Sequence, residues 1–172
     1  MTIHEVKNEV TKYNNKHLVI TGGEPLLQQE DIAKLLKEIK PYGYFVEVET
    51  NCTIKPSNEI LQYVDQWNVS PKTSNSGNVL QSYEVAECYN FFVQQNNAYF
   101  KFVIESDDDM NEVEYFIEKY NLPRKKVLLM PQASDKNELK LREDMVFELS
   151  KDHELGYSSR MHIAMWDNQR GT

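Results

Sequence analysis

The sequence predicts an α/β fold with a mostly parallel sheet, because short apolar segments alternate with segments of helical period along all 172 residues. Most of the apolar segments are apolar on successive residues, which indicates a sheet covered on both faces. No repeat, low-complexity tract or Pro/Gly-rich linker divides the chain, so we expect residues 1–172 to form a single domain. The predicted strands cover residues 17–20, 44–48, 67–69, 99–104, 127–130 and 161–165.

Helices are predicted between these strands. Thr2 and Glu5 have the spacing of a capping box, so a helix begins at the amino end and leads into the first strand. A full barrel would have a strand before that helix, so we expect the amino end to be cut. Periodicity does not distinguish an open sheet from a closed barrel. The other predicted helices cover residues 30–40, 57–64, 79–95, 107–120 and 136–153.

Composition excludes several classes of function. The 27 acidic residues outnumber the 19 basic ones, for a net charge of -8, which argues against nucleic-acid binding. No apolar run has the ~20 residues of a membrane span, and the amino end lacks a signal peptide, so we expect no membrane association and a cytoplasmic location. The four histidines and the cysteines Cys52 and Cys88 lack the spacing of a local metal site. Cys52, on a predicted turn, is interpreted as an ordinary thiol rather than a reactive one.

The most specific motif is Thr-Gly-Gly-Glu-Pro, which spans residues 21–25 directly after the first strand. Two glycines at the carboxyl end of a strand let the backbone approach a ligand closely, and Glu24 supplies an acceptor for a cationic group such as an amine. On the second strand, Glu47 and Glu49 share one face, which suggests the polar interior or mouth of a barrel. Glu49 lies nearer the carboxyl end and is the better candidate for a ligand contact.

Further polar residues follow the later strands. Each alone is more often structural, and Asn51 could be an ordinary turn former. Their placement favours function, because they gather with Glu24 and Glu49 at the carboxyl ends of five consecutive predicted strands, where α/β folds build their sites. These residues are Asn51, Ser70, Lys72, Lys101, Gln132, Arg160 and His162.

Six strings in this order resemble the 7-carboxy-7-deazaguanine synthase family of radical S-adenosylmethionine (SAM) enzymes: GGEPLLQ, VEVETN, VSPK, KFVI, LLMPQ and RMHIAMWDNQRG. The resemblance implies a partial (β/α) barrel of the radical SAM type, of about six mostly parallel strands, with the first strand and the cluster loop missing. It implies the conversion of 6-carboxy-5,6,7,8-tetrahydropterin to 7-carboxy-7-deazaguanine, a carbon–nitrogen lyase reaction of queuosine biosynthesis. The family's cofactors are SAM, a [4Fe–4S] cluster and Mg²⁺, and its partners are the pterin substrate and a reductase such as flavodoxin.

The resemblance also implies roles for individual residues. It implies that Thr21 and His162 bind the substrate. One position departs from the family, because Cys52 stands where glycine usually follows the Glu-Thr-Asn string. The residues that the resemblance assigns to SAM binding are Gly22, Gly23, Glu24, Glu49, Asn51, Ser70, Lys72 and Gln132.

The cluster motif of the family is absent from the sequence. The resemblance places a CxxxCxxC loop upstream of the glycine pair, and none of the 21 residues before Gly22 is a cysteine. We therefore expect neither the cluster nor Mg²⁺ to bind this chain, and no synthase activity from the chain alone. The alternative is a degenerate homologue that acts as a nucleoside-binding or partner module. An unpaired sheet edge would permit a homodimer. An unrelated hydrolase or transferase is disfavoured, because no nucleophile–base pair is evident.

Overall fold

The computed structural model describes residues 1–77 and 84–169. Its six strands form one sheet in the order β1-β2-β3-β4-β5-β6, and every neighbouring pair is parallel. Strands that follow one another without reversal form the wall of a (β/α) barrel, whereas a doubly wound sheet reverses its order. The α/β prediction is therefore confirmed. The strands are β1 His17–Ile20, β2 Phe45–Thr50, β3 Gln66–Val69, β4 Ala98–Ile104, β5 Val127–Pro131 and β6 Gly156–Tyr157.

Helices fill the connections between the strands. The predicted capping box is present at the amino end, where the Thr2 amide donates to the Glu5 carboxylate at 2.7 Å. The helix predicted over 79–95 is described from Ala86 onward, and residues 79–83 lie outside the described part of the chain. None of the described helices is long and apolar enough to cross a bilayer. The helices are α1 Ile3–Thr11, α2 Gln29–Ile39, α3 Asn58–Leu61, α4 Ala86–Val93, α5 Asp109–Tyr120, α6 Lys136–Asp152 and α7 Met161–Trp166.

The prediction of a last strand over residues 161–165 is wrong. Residues 161–165 belong to α7, in which Ile163 is the buried residue, and β6 lies earlier in the chain. A five-residue apolar run does not distinguish one turn of helix from a strand. β6 is marked instead by Gly156, where a Cβ would lie 2.4 Å from Leu128 Cδ2, so only glycine fits against β5 without displacing that leucine.

The expectation of a sheet covered on both faces is also wrong. Burial alternates along β4, where Phe100 and Phe102 are fully buried while Tyr99 and Lys101 are partly exposed. We call the side of the sheet that carries Phe100 and Phe102, which packs against helices, the helix face. The side that carries Tyr99 and Lys101 is the open face. The sequence hides this difference because Tyr99, Leu128 and other open-face residues are themselves apolar. In register, the open face carries Val19, Glu47, Glu49, Gln66, Asn68, Tyr99, Lys101, Leu128, Val103 and Met130.

The helix face holds the hydrophobic core, which is rich in stacked aromatic rings. Tyr89 of α4 stacks on Tyr120 of α5 with ring centroids 4.2 Å apart, and Trp67 of β3 packs against Phe92 of α4 at 5.5 Å. Offset and tilted rings at these distances add to the free energy gained from area burial alone. The core therefore fixes the strands from one side and leaves their carboxyl ends free to carry polar groups.

Candidate functional site

The loop after β1 presents bare backbone at the carboxyl edge of the sheet. Gly22 has a φ of +146°, which side-chain-bearing residues rarely adopt. Gly22 and Gly23 are both exposed, and a Cβ built on either would meet no atom within 4 Å. The peptide groups of this loop are therefore open to a ligand, as the sequence motif predicts.

Glu24 is buried beneath that loop and joins it to the end of β2. Its carboxylate accepts hydrogen bonds from the Leu26 amide at 3.0 Å, the Asn51 amide at 2.7 Å and the Thr50 hydroxyl at 3.0 Å. A carboxylate has about four lone-pair sites, so three protein donors leave one acceptor position. Glu24 therefore fastens two loops together and can still accept one hydrogen bond from a ligand ammonium.

The turn after β2 uses Asn51 and Cys52 structurally. Asn51 Oδ1 accepts from the Thr53 amide at 3.0 Å, which is the turn-forming alternative considered from the sequence. Cys52 has a φ of +68°, so it keeps the left-handed conformation that glycine would adopt at this position. Its thiol is fully buried, and desolvation raises its pKa well above the usual range. Burial likewise raises the pKa of Cys88 to about 11.

Three polar side chains meet on the open face near its carboxyl edge. The Thr21 hydroxyl donates to Glu49 Oε2 at 3.0 Å, and Lys101 Nζ donates to Glu49 Oε1 at 3.2 Å. The Ser70 hydroxyl donates to the Lys101 carbonyl at 3.1 Å. Lys101 therefore faces a polar pocket rather than extending to solvent at a sheet edge.

A second polar row lies further toward the amino ends of the strands. His17 Nε2 and Glu47 Oε2 are 3.0 Å apart, and the Asn68 amide nitrogen donates to the same Glu47 carboxylate. Gln66 donates to Asn68 Oδ1 at 3.0 Å. None of His17, Gln66 and Asn68 was predicted from the sequence. Gln66 and Asn68 nevertheless repeat the period of two that singled out Glu47 and Glu49.

Lys72, just after the end of β3, is a cationic side chain without a salt-bridge partner among the described residues. Lys72 is exposed and forms no hydrogen bond or ion pair with the described residues. Lys72 shares no hydrogen bond or ion pair with the other candidate residues. Its ammonium is therefore free to reach an anionic group of a ligand at this edge.

The end of β5 and the start of α7 form the last group. The backbone amide of Gln132 donates to the Ile104 carbonyl at 2.7 Å, whereas its side-chain Oε1 is buried and has no hydrogen-bond partner among the described residues. Arg160 Nε donates to the Pro131 carbonyl at 2.9 Å. Desolvation lowers the pKa of Arg160, and the negative charge of Glu49 opposes that shift. A cavity of about 500 Å³ is lined here by Ala133, Ser134, Arg160, His162, Ile163, Asp167, Asn168 and Gln169.

The candidate residues therefore occupy one edge of the sheet in three connected groups, with Lys72 apart from them. The glycine loop with Glu24 and Asn51 forms one group, and Thr21 with Glu49, Lys101 and Ser70 forms the second. The third consists of Arg160 and His162, which line one cavity, and of Gln132, which follows the residue that accepts from Arg160. Over residues 1–77 and 84–169, no three His, Cys, Asp or Glu side chains are grouped to hold a metal ion.

Comparison with known proteins identifies the family of this chain. No protein-family model matches it. A 7-carboxy-7-deazaguanine synthase of Pyrobaculum aerophilum is 36% identical over 156 residues, which cover 90% of this chain and 67% of that protein. The chain belongs to the 7-carboxy-7-deazaguanine synthase family. A second 7-carboxy-7-deazaguanine synthase, from Halobacterium salinarum, is 29% identical over 191 aligned positions, covering 98% of this chain and 72% of that protein.

A solved structure supports the fold independently. A domain of pyruvate-formate lyase-activating enzyme from Bacteroides vulgatus matches 84% of this chain and 99% of that domain, with a TM-score of 0.61 and 15% sequence identity. The chain is therefore a partial barrel of the radical SAM type, as the sequence resemblance implied. Membership of a radical SAM family implies SAM and a [4Fe–4S] cluster as cofactors.

The residues present fit these two cofactors differently. A [4Fe–4S] cluster is held by cysteine thiolates, and the chain has two cysteines, both buried on the helix side with raised thiol pKa values. These thiols do not fit the cluster. SAM carries an ammonium and a nucleoside, and the open glycine backbone with the remaining acceptor position of Glu24 fits that ammonium.

Proposed function

We propose that this chain forms the SAM- and pterin-binding part of an enzyme that converts 6-carboxy-5,6,7,8-tetrahydropterin to 7-carboxy-7-deazaguanine, a lyase step toward queuosine and related 7-deazapurines. Residues 1–172 would act as one domain, the carboxyl-terminal portion of the barrel. The observation that carries the proposal is the loop after β1, where bare glycine backbone lies above a buried carboxylate with one acceptor position left. Membership of the 7-carboxy-7-deazaguanine synthase family supports the choice of this reaction.

In this proposal the SAM ammonium binds at the glycine loop. The loop carbonyls and Glu24 accept its protons, and a hydrogen bond between two charged groups is stronger than a neutral one. Glu24 can hold this position because Thr50 and Asn51 fix its carboxylate in place. Asn51 would therefore border the SAM pocket through its backbone amide.

The remaining SAM contacts would come from neighbouring strand ends. Lys72 supplies a free cation for the methionyl carboxylate, and the Ser70 hydroxyl, which already donates to the Lys101 carbonyl, can accept from a ribose hydroxyl. Gln132 lies at the end of β5, where its unpartnered amide oxygen can accept from the nucleoside. Glu49 closes the open-face side of this pocket.

Substrate binding would use Thr21 and His162. The Thr21 hydroxyl donates its proton to Glu49, so its oxygen lone pairs remain available to an N–H of a pterin ring. His162 is exposed on the wall of the cavity beside α7, from which an imidazole can reach a bound heterocycle. The pterin would then lie over the carboxyl edge of the open face.

We also propose that these 172 residues do not hold the iron–sulfur cluster and form no product alone, because their two thiols are buried in the core. The Mg²⁺ ion and a reductase such as flavodoxin would then serve the complete enzyme. The same buried thiols favour a second candidate, a cluster-less homologue that binds a nucleoside as a partner module. A homodimer through the free edge of β1 stays a prediction, which sedimentation can test.

Titration calorimetry with SAM tests the pocket. We expect the wild-type chain to bind SAM, and Glu24→Gln and Lys72→Met each to weaken binding about tenfold, since each removes a charge-assisted hydrogen bond. Glu30→Gln, an exposed carboxylate on α2, is the matched control and should change nothing. Lys72 is exposed, so its variant reports on binding even where Glu24→Gln disturbs folding. A wild-type chain that gives no heat with SAM would contradict the proposed pocket.

An anaerobic assay tests the statement about the cluster. After incubation with iron and sulfide, the chain should bind less than one cluster and form no deazaguanine from the tetrahydropterin and SAM. Formation of product by these 172 residues would refute this part of the proposal. Binding of 6-carboxypterin together with SAM would favour the synthase part, whereas binding of SAM alone would favour the partner module.

A further inference from the structure

Arg160 differs from the other arginines in the described part of the chain. Arg124 pairs with Glu114 at 2.7 Å, and Arg142 pairs with Glu105 at 3.3 Å. Arg160 is partly buried, yet within residues 1–77 and 84–169 it forms no ion pair. A guanidinium taken partly out of water without a counterion is costly unless something else neutralises it.

The geometry of this guanidinium suits a planar anion. Its Nε donates to the Pro131 carbonyl at 2.9 Å, which fixes the plane of the group, and its two terminal nitrogens make no hydrogen bond with the described residues. Two such nitrogens form a fork that matches the two oxygens of a carboxylate. The group is therefore oriented before any ligand arrives.

Glu49, the acid on the open face whose charge acts on Arg160, does not pair with it. Glu49 is close enough for its charge to favour the protonated guanidinium, but its two oxygens accept from Thr21 and Lys101. No Glu49–Arg160 hydrogen bond or ion pair is formed. Glu49 therefore leaves the guanidinium fork open to a second anion.

Gln132, next in the chain to the residue that holds Arg160, supplies a second signal. Its Oε1 is buried without a donor, and it directly follows Pro131, whose carbonyl holds Arg160. Leaving a buried acceptor without a donor is costly, so such groups usually have a partner. One molecule with both a carboxylate and an N–H or O–H donor would satisfy Arg160 and Gln132 together.

We propose that Arg160 and Gln132 form a carboxylate-recognition subsite at the end of β5, in which Arg160 binds the carboxylate and Gln132 accepts from a neighbouring N–H or O–H of the same ligand. When that ligand is the pterin, this contact replaces the one between Gln132 and the SAM nucleoside. The cavity of about 500 Å³ beside Arg160 has room for a small heterocycle. The identity of that heterocycle rests on the proposed function: a pterin carries its carboxylate on a nitrogen-rich ring. SAM also carries a carboxylate, so the test must separate the two sources.

Calorimetric titrations with matched ligand pairs test the subsite. The first pair is 6-carboxypterin and pterin, and the second is SAM and 5′-methylthioadenosine, which lacks the carboxylate. We expect Arg160→Gln to weaken the binding of 6-carboxypterin about tenfold to a hundredfold and to leave the affinity for pterin unchanged. Arg160→Lys should restore part of the affinity, because it keeps the charge without the fork. Lys125→Gln, an exposed cation before β5, removes the same charge far from the cavity and should have no effect.

The outcomes separate this subsite from the proposed function. A loss confined to SAM, with 5′-methylthioadenosine unchanged, would keep the subsite and assign it to the SAM carboxylate. If Arg160→Gln alters both members of a pair equally or alters neither, or if the wild-type chain binds none of the four compounds, the subsite is refuted. Carboxypterin binding through Arg160 without any SAM binding would support the subsite and refute the proposed function. Thermal unfolding of each variant checks that it is folded.

Discussion

The two faces of the sheet are built from the same strands for different purposes. On β4, Phe100 and Phe102 point into the helix-covered core and are fully buried, whereas Tyr99 and Lys101 point to the open face and keep contact with solvent. Because side chains alternate along a strand, each strand serves both faces at once. Evolution of the site can therefore change one face while the other preserves the fold.

The energetics of the two faces should differ accordingly. Full burial of a large apolar side chain contributes about 1.5–3 kcal/mol. An ion pair between partly exposed groups contributes about 0–1 kcal/mol, and the side chain of Glu49 in the Lys101 pair is 38% exposed. We therefore expect substitutions on the helix face to reduce stability, and substitutions on the open face to act mainly on ligand binding.

The largest effect is expected at Phe102. Phe102→Ala should reduce the free energy of unfolding by about 3–5 kcal/mol, because it leaves a cavity beside Phe116 in the core. Val103→Ala, the next residue but on the open face, is the matched control and should cost less than about 1 kcal/mol. Urea unfolding measures both. Equal losses at the two positions would contradict the division into faces.

Glu24, which joins the loop after β1 to the end of β2, should show the next largest effect. Glu24→Gln replaces an acceptor of three hydrogen bonds by an amide whose nitrogen cannot accept, which leaves one buried donor unpaired. We expect a loss of about 1.5–3 kcal/mol in the free energy of unfolding, the range for hydrogen bonds to a charged group. An unchanged unfolding midpoint would show that Glu24 does not join the loops.

Cys52 allows a test of backbone strain on the buried side. With a φ of +68°, an alanine here keeps the strain of a left-handed residue, whereas a glycine relieves it. Both variants remove the buried thiol, so their difference isolates the backbone. Cys52→Gly should therefore be more stable than Cys52→Ala by about 1 kcal/mol. Thermal unfolding that ranks alanine above glycine would overturn this explanation.

The smallest effect on stability is expected at Lys101. Lys101→Met removes a partly exposed ion pair and should change the free energy of unfolding by less than about 1 kcal/mol. The same variant removes one of the two hydrogen-bond partners of Glu49. The effect of Lys101→Met should therefore appear as a change in ligand affinity in titrations. A loss above about 2 kcal/mol would mean that the open face contributes to folding as strongly as the helix face.

The sequence predicted the elements that depend on local pattern. Five strands and the capping box at Thr2 follow from period, propensity and cap spacing, all of which are local signals. The error at residues 161–165 has the same origin, because a single apolar turn carries too few residues to show its period. The open face was hidden for a related reason: Tyr99 and Leu128 are apolar although they do not lie in the core.

The site was predictable in its location but not in its contacts. The Gly-Gly-Glu string and the carboxylates of β2 indicated the carboxyl edge. Two of the three partners of Glu24, however, are Thr50 and Asn51, which lie 26 and 27 positions further along the chain, and no sequence pattern gives that pairing. Likewise, only the burial and the distances in the structure reveal that the terminal nitrogens of Arg160 and the Oε1 of Gln132 have no hydrogen-bond partner among the described residues.

The most direct test of this account is to map SAM binding residue by residue. Amide NMR spectra of the isotope-labelled chain, recorded as SAM is added, should show shifts at Gly22, Gly23, Asn51 and Ser70, with little change at helix-face amides such as those of Phe102 and Phe116. Shifts concentrated on the helix side, or no saturable shifts at all, would contradict the claim that the carboxyl edge of the open face is the binding site.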